Sequence, residues 1–137
     1  MDNEKYNLKS TITREDVEQG KNSHTRLLQM IMPQAVVLEC GPAYGVMTKY
    51  LKETLGCTVY ILEIDNKSFS HAIQFADGGI CADLETDTWM NELSVGAFDY
   101  IIFADVLEHL HDPEKVLEKM KCFLKPSGTV LMSVPNI

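Results

Sequence analysis

No apolar run in this chain approaches the roughly 18 residues that a membrane span requires, and the opening MDNEKYNLKS has neither the basic start nor the apolar stretch of a signal peptide. No membrane association or export is expected. Basic residues are scarce as well. Twelve Lys and Arg stand against twenty Asp and Glu, a formal net charge of -8, so no long-range field draws the domain to nucleic acid or an anionic surface. The four cysteines, Cys40, Cys57, Cys81 and Cys122, form no C-x-x-C pair and have no nearby His at zinc-ligand spacing, which argues against a structural metal. Three of them sit in or beside apolar runs (VVLEC, CTVYIL, GGICA), where a reduced cysteine serves as a small buried hydrophobe. A reducing compartment, hence the cytoplasm, is the expected location. At 137 residues and 45% hydrophobic content, one domain can bury roughly two-thirds of its unfolded surface without staples.

What is present is an alternation. Residues 1–22 are polar, with Tyr6, Leu8, Ile12 and Val17 as scattered apolar anchors, and read as an N-terminal arm with room for some helix. Asn22 or Ser23 can cap a helix carrying Leu27, Leu28, Met30 and Ile31, which Pro33 stops. The run Ala35 to Glu39 is short and apolar, as a strand buried on both faces should be. It breaks at Gly41-Pro42, before a helix with Met47, Tyr50, Leu51 and Leu55 on one side and Gly56 as its stop. The pattern repeats: strand 58–62 ending in Glu63, helix 67–76, strand 79–82 ending in Asp83, a polar helix around 89–93, and strand 98–104 ending in Asp105. Asp112-Pro113 opens a helix with apolar Val116, Leu117, Met120, Phe123 and Leu124; Lys125 to Gly128 turns into a last strand, 129–134. Strands alternating with helices predict an α/β fold, a parallel sheet covered on both faces.

Ligands of such sheets bind beyond the carboxyl ends of the strands. Glu39, Glu63, Asp83 and Asp105 are expected along that rim, although any one of them could equally be a solvated strand end or a helix cap. The loop Glu39-Cys40-Gly41-Pro42-Ala43-Tyr44-Gly45 lies between the first strand and its helix, where glycines permit close backbone approach. It lacks the Gly-Lys-Ser/Thr of a triphosphate loop, and Ala43 and Val46 replace two glycines of the dinucleotide fingerprint. A nicotinamide cofactor stays open as a second reading, because Glu63 is at a suitable distance to hold a ribose.

The stretches VVLECGPAYG, VYILEID, ICADLE and FDYIIFADVLEHLHDPEKVLEKMKCFLKPSGTVLMSVPN resemble the class I S-adenosylmethionine-dependent methyltransferases from about residue 22 onward, most specifically in DVLEHLHDP. The resemblance implies a three-layer Rossmann-like fold with a mainly parallel sheet of about five strands in the order 3-2-1-4-5, residues 23–137 forming the cofactor-binding domain. It implies S-adenosylmethionine or S-adenosylhomocysteine as ligand and a small-molecule or glycan-pathway acceptor. Glu39 would lie near the methionine amino group, with Gly41, Ala43 and Gly45 shaping the backbone around it. Glu63 would hold the ribose hydroxyls, Ile64 would pack on the adenine, Asp83 and Leu84 would border its edge, and Ala104 would complete the rim. Ala43 departs from the family's acidic-x-Gly-x-Gly-x-Gly loop, and Ile64 has the alternative of being core.

Methyl transfer to a hydroxyl or amine needs a proton acceptor, and Asp105, Glu108 and His109 follow the fourth strand directly. On a helical turn Asp105 and His109 would face the same way, as an acid-base pair or a metal site; Glu108 and His109 could instead simply cap and pack that turn. His24 and His111 read as surface or loop residues. Family members continue beyond the Val-Pro-Asn near residue 136, so the domain is expected to be C-terminally incomplete, lacking the usual last strands. Its final strand would then be an edge open to self-association or to a partner, and a non-catalytic partner domain remains the alternative to an enzyme.

Overall fold

The computed structural model describes residues 11–134. Tyr6 and Leu8, read above as arm anchors, and Pro135 of the Val-Pro-Asn near residue 136 lie outside the described residues.

Among the described residues two short helices come first, α1 (Arg14–Gln19) and α2 (Ser23–Gln29). Each starts on a capping box: the Thr13 hydroxyl accepts from the Asp16 N–H, and the Asn22 side-chain oxygen accepts from the Thr25 N–H. Gly20, at φ 56°, closes α1 in the left-handed conformation. The arm read from sequence thus contains a helix whose Val17 is buried against Leu27 and Leu28. Then follow β1 (Val36–Cys40), α3 (Val46–Lys49), β2 (Thr58–Glu63), α4 (Asn66–Ala72), β3 (Gly78–Cys81), β4 (Phe98–Ala104), α5 (Pro113–Met120) and β5 (Leu124–Ser133).

The five strands form one parallel sheet in the order β3-β2-β1-β4-β5, as expected for a Rossmann-like methyltransferase fold. Alternation along the strands divides the core. Val37, Val59, Ile61 and Ile102 pack with α1 to α4 on one face, whereas Leu38, Cys40, Leu62, Ile101 and Phe103 pack with Trp89, Val116, Met120 and Phe123 on the other.

One expected helix is present in a modified form, and two expectations are corrected. The helix after the Gly41 loop widens at Tyr50–Thr54, where the Leu55 N–H reaches back to the Tyr50 carbonyl (3.1 Å). The helix around Trp89 is a single turn, Met90–Glu92, because Trp89 is drawn fully into the core. The turn at residues 125–128 is a bulge within β5: Phe98 pairs with Leu124, yet Tyr100 pairs with Thr129. At Gly128 a Cβ would stand 2.9 Å from the Phe98 carbonyl oxygen, which explains the glycine there.

Candidate functional site

Register brings the strand ends level, with Cys40 of β1 beside Leu62 of β2 and Phe103 of β4. Beyond them opens a crevice of about 1220 Å³ lined by Glu39, Gly41, Ala43, Glu63, Ile64, Asp83, Leu84, Ala104, Asp105 and His109, among others. That exceeds the roughly 300–1,000 Å³ typical of a small-molecule site and leaves room for two ligands side by side.

Glu39 and Glu63 are both buried. The Thr48 hydroxyl donates to Glu39 at 2.5 Å. Burial drives the Glu39 carboxyl up to about 7 against the opposing pull of the Thr48 bond, and neighbouring Glu63 adds to the rise. Glu63 accepts backbone N–H bonds on both oxygens, from Ala43 (2.9 Å) and Asp65 (3.0 Å). Among the described residues neither carboxylate has a cationic partner, so the middle of the crevice is acidic and uncompensated.

The loop between them runs through left-handed conformations at Gly41 (φ 72°), Ala43 (φ 53°) and Gly45 (φ 91°). A Cβ on Gly41 would come within 2.5 Å of a Val106 methyl, and one on Gly45 within 2.9 Å of the Ala72 Cα. These glycines therefore serve close packing of the loop on the chain's own neighbours and the positive φ. Ala43 carries that conformation with a side chain, at a cost of about 1–2 kcal/mol. Ile64 is 64% exposed on the rim, which rules out the core role.

On the far side, Asp83 accepts the Glu85 N–H at 2.9 Å and thereby turns the loop after β3. Two residues that sequence reading missed hold this loop. Glu85 accepts the N–H groups of His111 (3.1 Å) and Asp112 (2.9 Å), which keep its carboxyl below the usual range and tie two crevice loops together. Lys119 donates to the Leu84 (3.0 Å) and Thr86 (2.8 Å) carbonyl oxygens and lies over the Trp89 ring. Both link positions more than 25 residues apart, so no local pattern announces them.

Asp105 and His109 both line the crevice, but they do not share a helical turn. Asp105 is left-handed (φ 57°), and the turn Leu107–His109 starts after it. His109 is largely exposed, with Nε2 3.5 Å from its neighbour Glu108. The imidazole that Asp105 meets is His24, on α2, with Nε2 3.2 Å from Oδ2; His24 was expected to be only a surface residue. Among the described residues no group of three His, Cys, Asp or Glu is arranged to hold a metal ion.

Comparison with known proteins bears on the fold and the family. Residues 15–137 match a family model described as a methyltransferase domain. The glycine/sarcosine/dimethylglycine N-methyltransferase of Actinopolyspora halophila is 31% identical over 117 residues, covering 77% of this chain and 19% of that protein. The ubiquinone biosynthesis O-methyltransferase of Paraburkholderia phymatum is 28% identical over 103 residues, covering 73% of this chain and 44% of that protein. The chain therefore spans less than half the length of these relatives. Among solved structures, phosphoethanolamine N-methyltransferase 2 of Haemonchus contortus, in complex with phosphomonomethylethanolamine and S-adenosylhomocysteine, superposes with a TM-score of 0.69 at 19% identity. That match covers 83% of this chain and 28% of the other, a likeness of fold. The chain belongs to the class I S-adenosylmethionine-dependent methyltransferase family.

Proposed function

We propose, from that membership, that this chain binds S-adenosylmethionine in the crevice and forms the cofactor-binding part of a methyltransferase acting on a small-molecule or glycan-pathway acceptor. The observation that carries the reading is the pair of buried carboxylates, Glu39 and Glu63, converging on a glycine-bearing turn with no cationic partner among the described residues. Such a pair suits a ligand that brings hydroxyls and positive charge. When bound, S-adenosylmethionine supplies a methyl group activated by its sulfonium. Glu63 keeps free lone pairs on both oxygens for ribose hydroxyls, since each accepts one backbone N–H. Glu39, ionised by a nearby ammonium, faces the amino group, and the turn at Gly41, Ala43 and Gly45 encloses that end. Exposed Ile64 covers the adenine, Asp83 and Leu84 border it, and Ala104 closes the rim. Asp105 and His109 lie on the acceptor side.

What these residues contribute is alignment and exclusion of water rather than covalent chemistry. The names of the N- and O-methyltransferase relatives support a small acceptor bearing nitrogen or oxygen. We place the protein in the cytoplasm, in keeping with four free cysteines, two of them exposed; among the described residues no helix is long and apolar enough to cross a membrane. Among the described residues β5 is the outer strand of the sheet, with Met132 exposed on it, and it is the surface we assign to self-association. Calorimetry with S-adenosylmethionine, S-adenosylhomocysteine and NAD tests the assignment. Binding of the two adenosyl ligands is expected; a preference for NAD would overturn it.

A further inference from the structure

One side-chain cluster on the crevice wall lies apart from the residues assigned above to the cofactor. Asp105 follows β4 in the left-handed conformation, with φ 57°, a backbone state that non-glycine residues hold only where their surroundings enforce it. Here Ser133 of β5 enforces it. The Asp105 N–H donates to the Ser133 carbonyl (3.1 Å) and hydroxyl (3.2 Å) oxygens, and that hydroxyl donates to Oδ1 (2.9 Å). Oδ2 is left to meet Nε2 of His24 at 3.2 Å.

The arrangement spans three elements, β4, β5 and α2, and fixes one imidazole by a carboxylate that is itself fixed. A carboxylate on Nε2 selects the tautomer with hydrogen on Nε2, so Nδ1 carries the lone pair. His24 and Asp105 both line the crevice, with side chains 44% and 38% exposed. They sit at the β4 end, whereas Glu63 terminates β2. One intervening strand separates the two, roughly 10 Å at the usual strand spacing. The dyad thus lies in the half of the crevice that the ribose carboxylate leaves open. Among the described residues His109 has no comparable support, since its ring is exposed and pairs with the adjacent Glu108.

Resting on the methyltransferase reading above, we infer that His24 is the catalytic proton acceptor for a hydroxyl or amine methyl acceptor, and that Asp105, set by Ser133, is its positioning residue. The acceptor's lone pair forms the bond to the methyl carbon, and the carbon–sulfur electron pair stays with the departing sulfur. The acceptor's proton moves to Nδ1 of His24, where Asp105 stabilises the resulting imidazolium, and water then removes it. A proton acceptor of this kind contributes about 10²–10⁴ in rate.

The test combines ring-nitrogen NMR with turnover on the full chain saturated with S-adenosylhomocysteine or S-adenosylmethionine. His24 is expected in the Nε2–H tautomer and, in Asp105→Asn, to revert to a tautomer mixture; asparagine tolerates the left-handed backbone, so the fold is kept. Addition of catechol or glycine, as hydroxyl and amine probes, should shift the His24 Nδ1 resonance. With whichever probe is methylated, His24→Gln should lower kcat at least about a hundredfold, with KM and S-adenosylhomocysteine affinity within a few-fold of wild type. An Nδ1–H tautomer in the wild type, a His24 ring that responds to neither probe, or His24→Gln turning over at the wild-type rate would overturn the inference. Failure to bind S-adenosylhomocysteine would instead remove the underlying functional reading, and calorimetry reports that separately.

Discussion

A buried acid should make this protein less stable as pH rises through neutrality. Glu39 lies inside the sheet end, where among the described residues only the Thr48 hydroxyl bonds its carboxyl, and burial moves that carboxyl from 4.5 to about 7. The folded state thus holds this proton more tightly than the unfolded chain does, so between those values the folded protein binds more protons. The stabilisation from this group is complete below about 4.5, declines as pH rises, and is lost above about 7. The interval is about 2.5 pH units, which at 1.36 kcal/mol per unit integrates to about 3 kcal/mol. Carboxyls held low act in the opposite sense but in another window. Asp99, bonded to the Val36 N–H, and Glu85, bonded to the His111 N–H, contribute stability that is lost only as pH falls through their lowered values. Urea unfolding of wild type and Glu39→Gln from about pH 5 to pH 8 isolates the effect. The glutamine still accepts the Thr48 bond but does not titrate, and its buried amide adds a constant penalty of about 1–3 kcal/mol. The wild type should lose most of the 3 kcal/mol relative to the variant across this range. A difference between the two proteins that stays flat with pH would show that Glu39 is ionised in the fold and refute the reasoning.

Glu63→Ala should weaken S-adenosylhomocysteine binding by at least about 1.5 kcal/mol, a low value for a hydrogen bond to a charged group; unchanged affinity by calorimetry in a folded variant would remove Glu63 from the site. Ala43→Gly relieves a left-handed alanine worth about 1–2 kcal/mol, offset by about 0.4–1 kcal/mol of added unfolded-chain entropy. Thermal unfolding should therefore show a gain of about 0.5 kcal/mol, and a loss of 1 kcal/mol would contradict the strained turn. Sedimentation at several concentrations should reveal association through β5, weakened by a charge at Met132, which is 45% exposed; a strictly monomeric wild type would show that this edge is not used.

Much of the fold was legible because its signals are local. Apolar runs of strand length, broken by Gly41-Pro42, Gly56 and Asp112-Pro113, announce the alternation of strand and helix, and alternation in a chain of this size dictates a parallel sheet. The acidic rim was legible for the same reason, since Glu39, Glu63, Asp83 and Asp105 each close an apolar run. Where the reading slipped, a distant contact had overridden a local preference. Trp89 left its helix for a core position under Lys119, and Lys125 to Gly128 became a bulge over the Phe98 carbonyl.

The surroundings of Asp105 were decided by tertiary structure alone. The sequence places His109 four residues from Asp105, and a helical turn would have joined them. The left-handed backbone at Asp105, held by Ser133 on the neighbouring strand, aims the carboxylate instead at His24, 81 positions away in the chain. Strand ends follow from the order of residues along the chain, so their carboxylates could be read from it. Which imidazole a carboxylate meets depends on how β4, β5 and α2 pack together, and that is set by the shape of the whole core rather than by any segment of it.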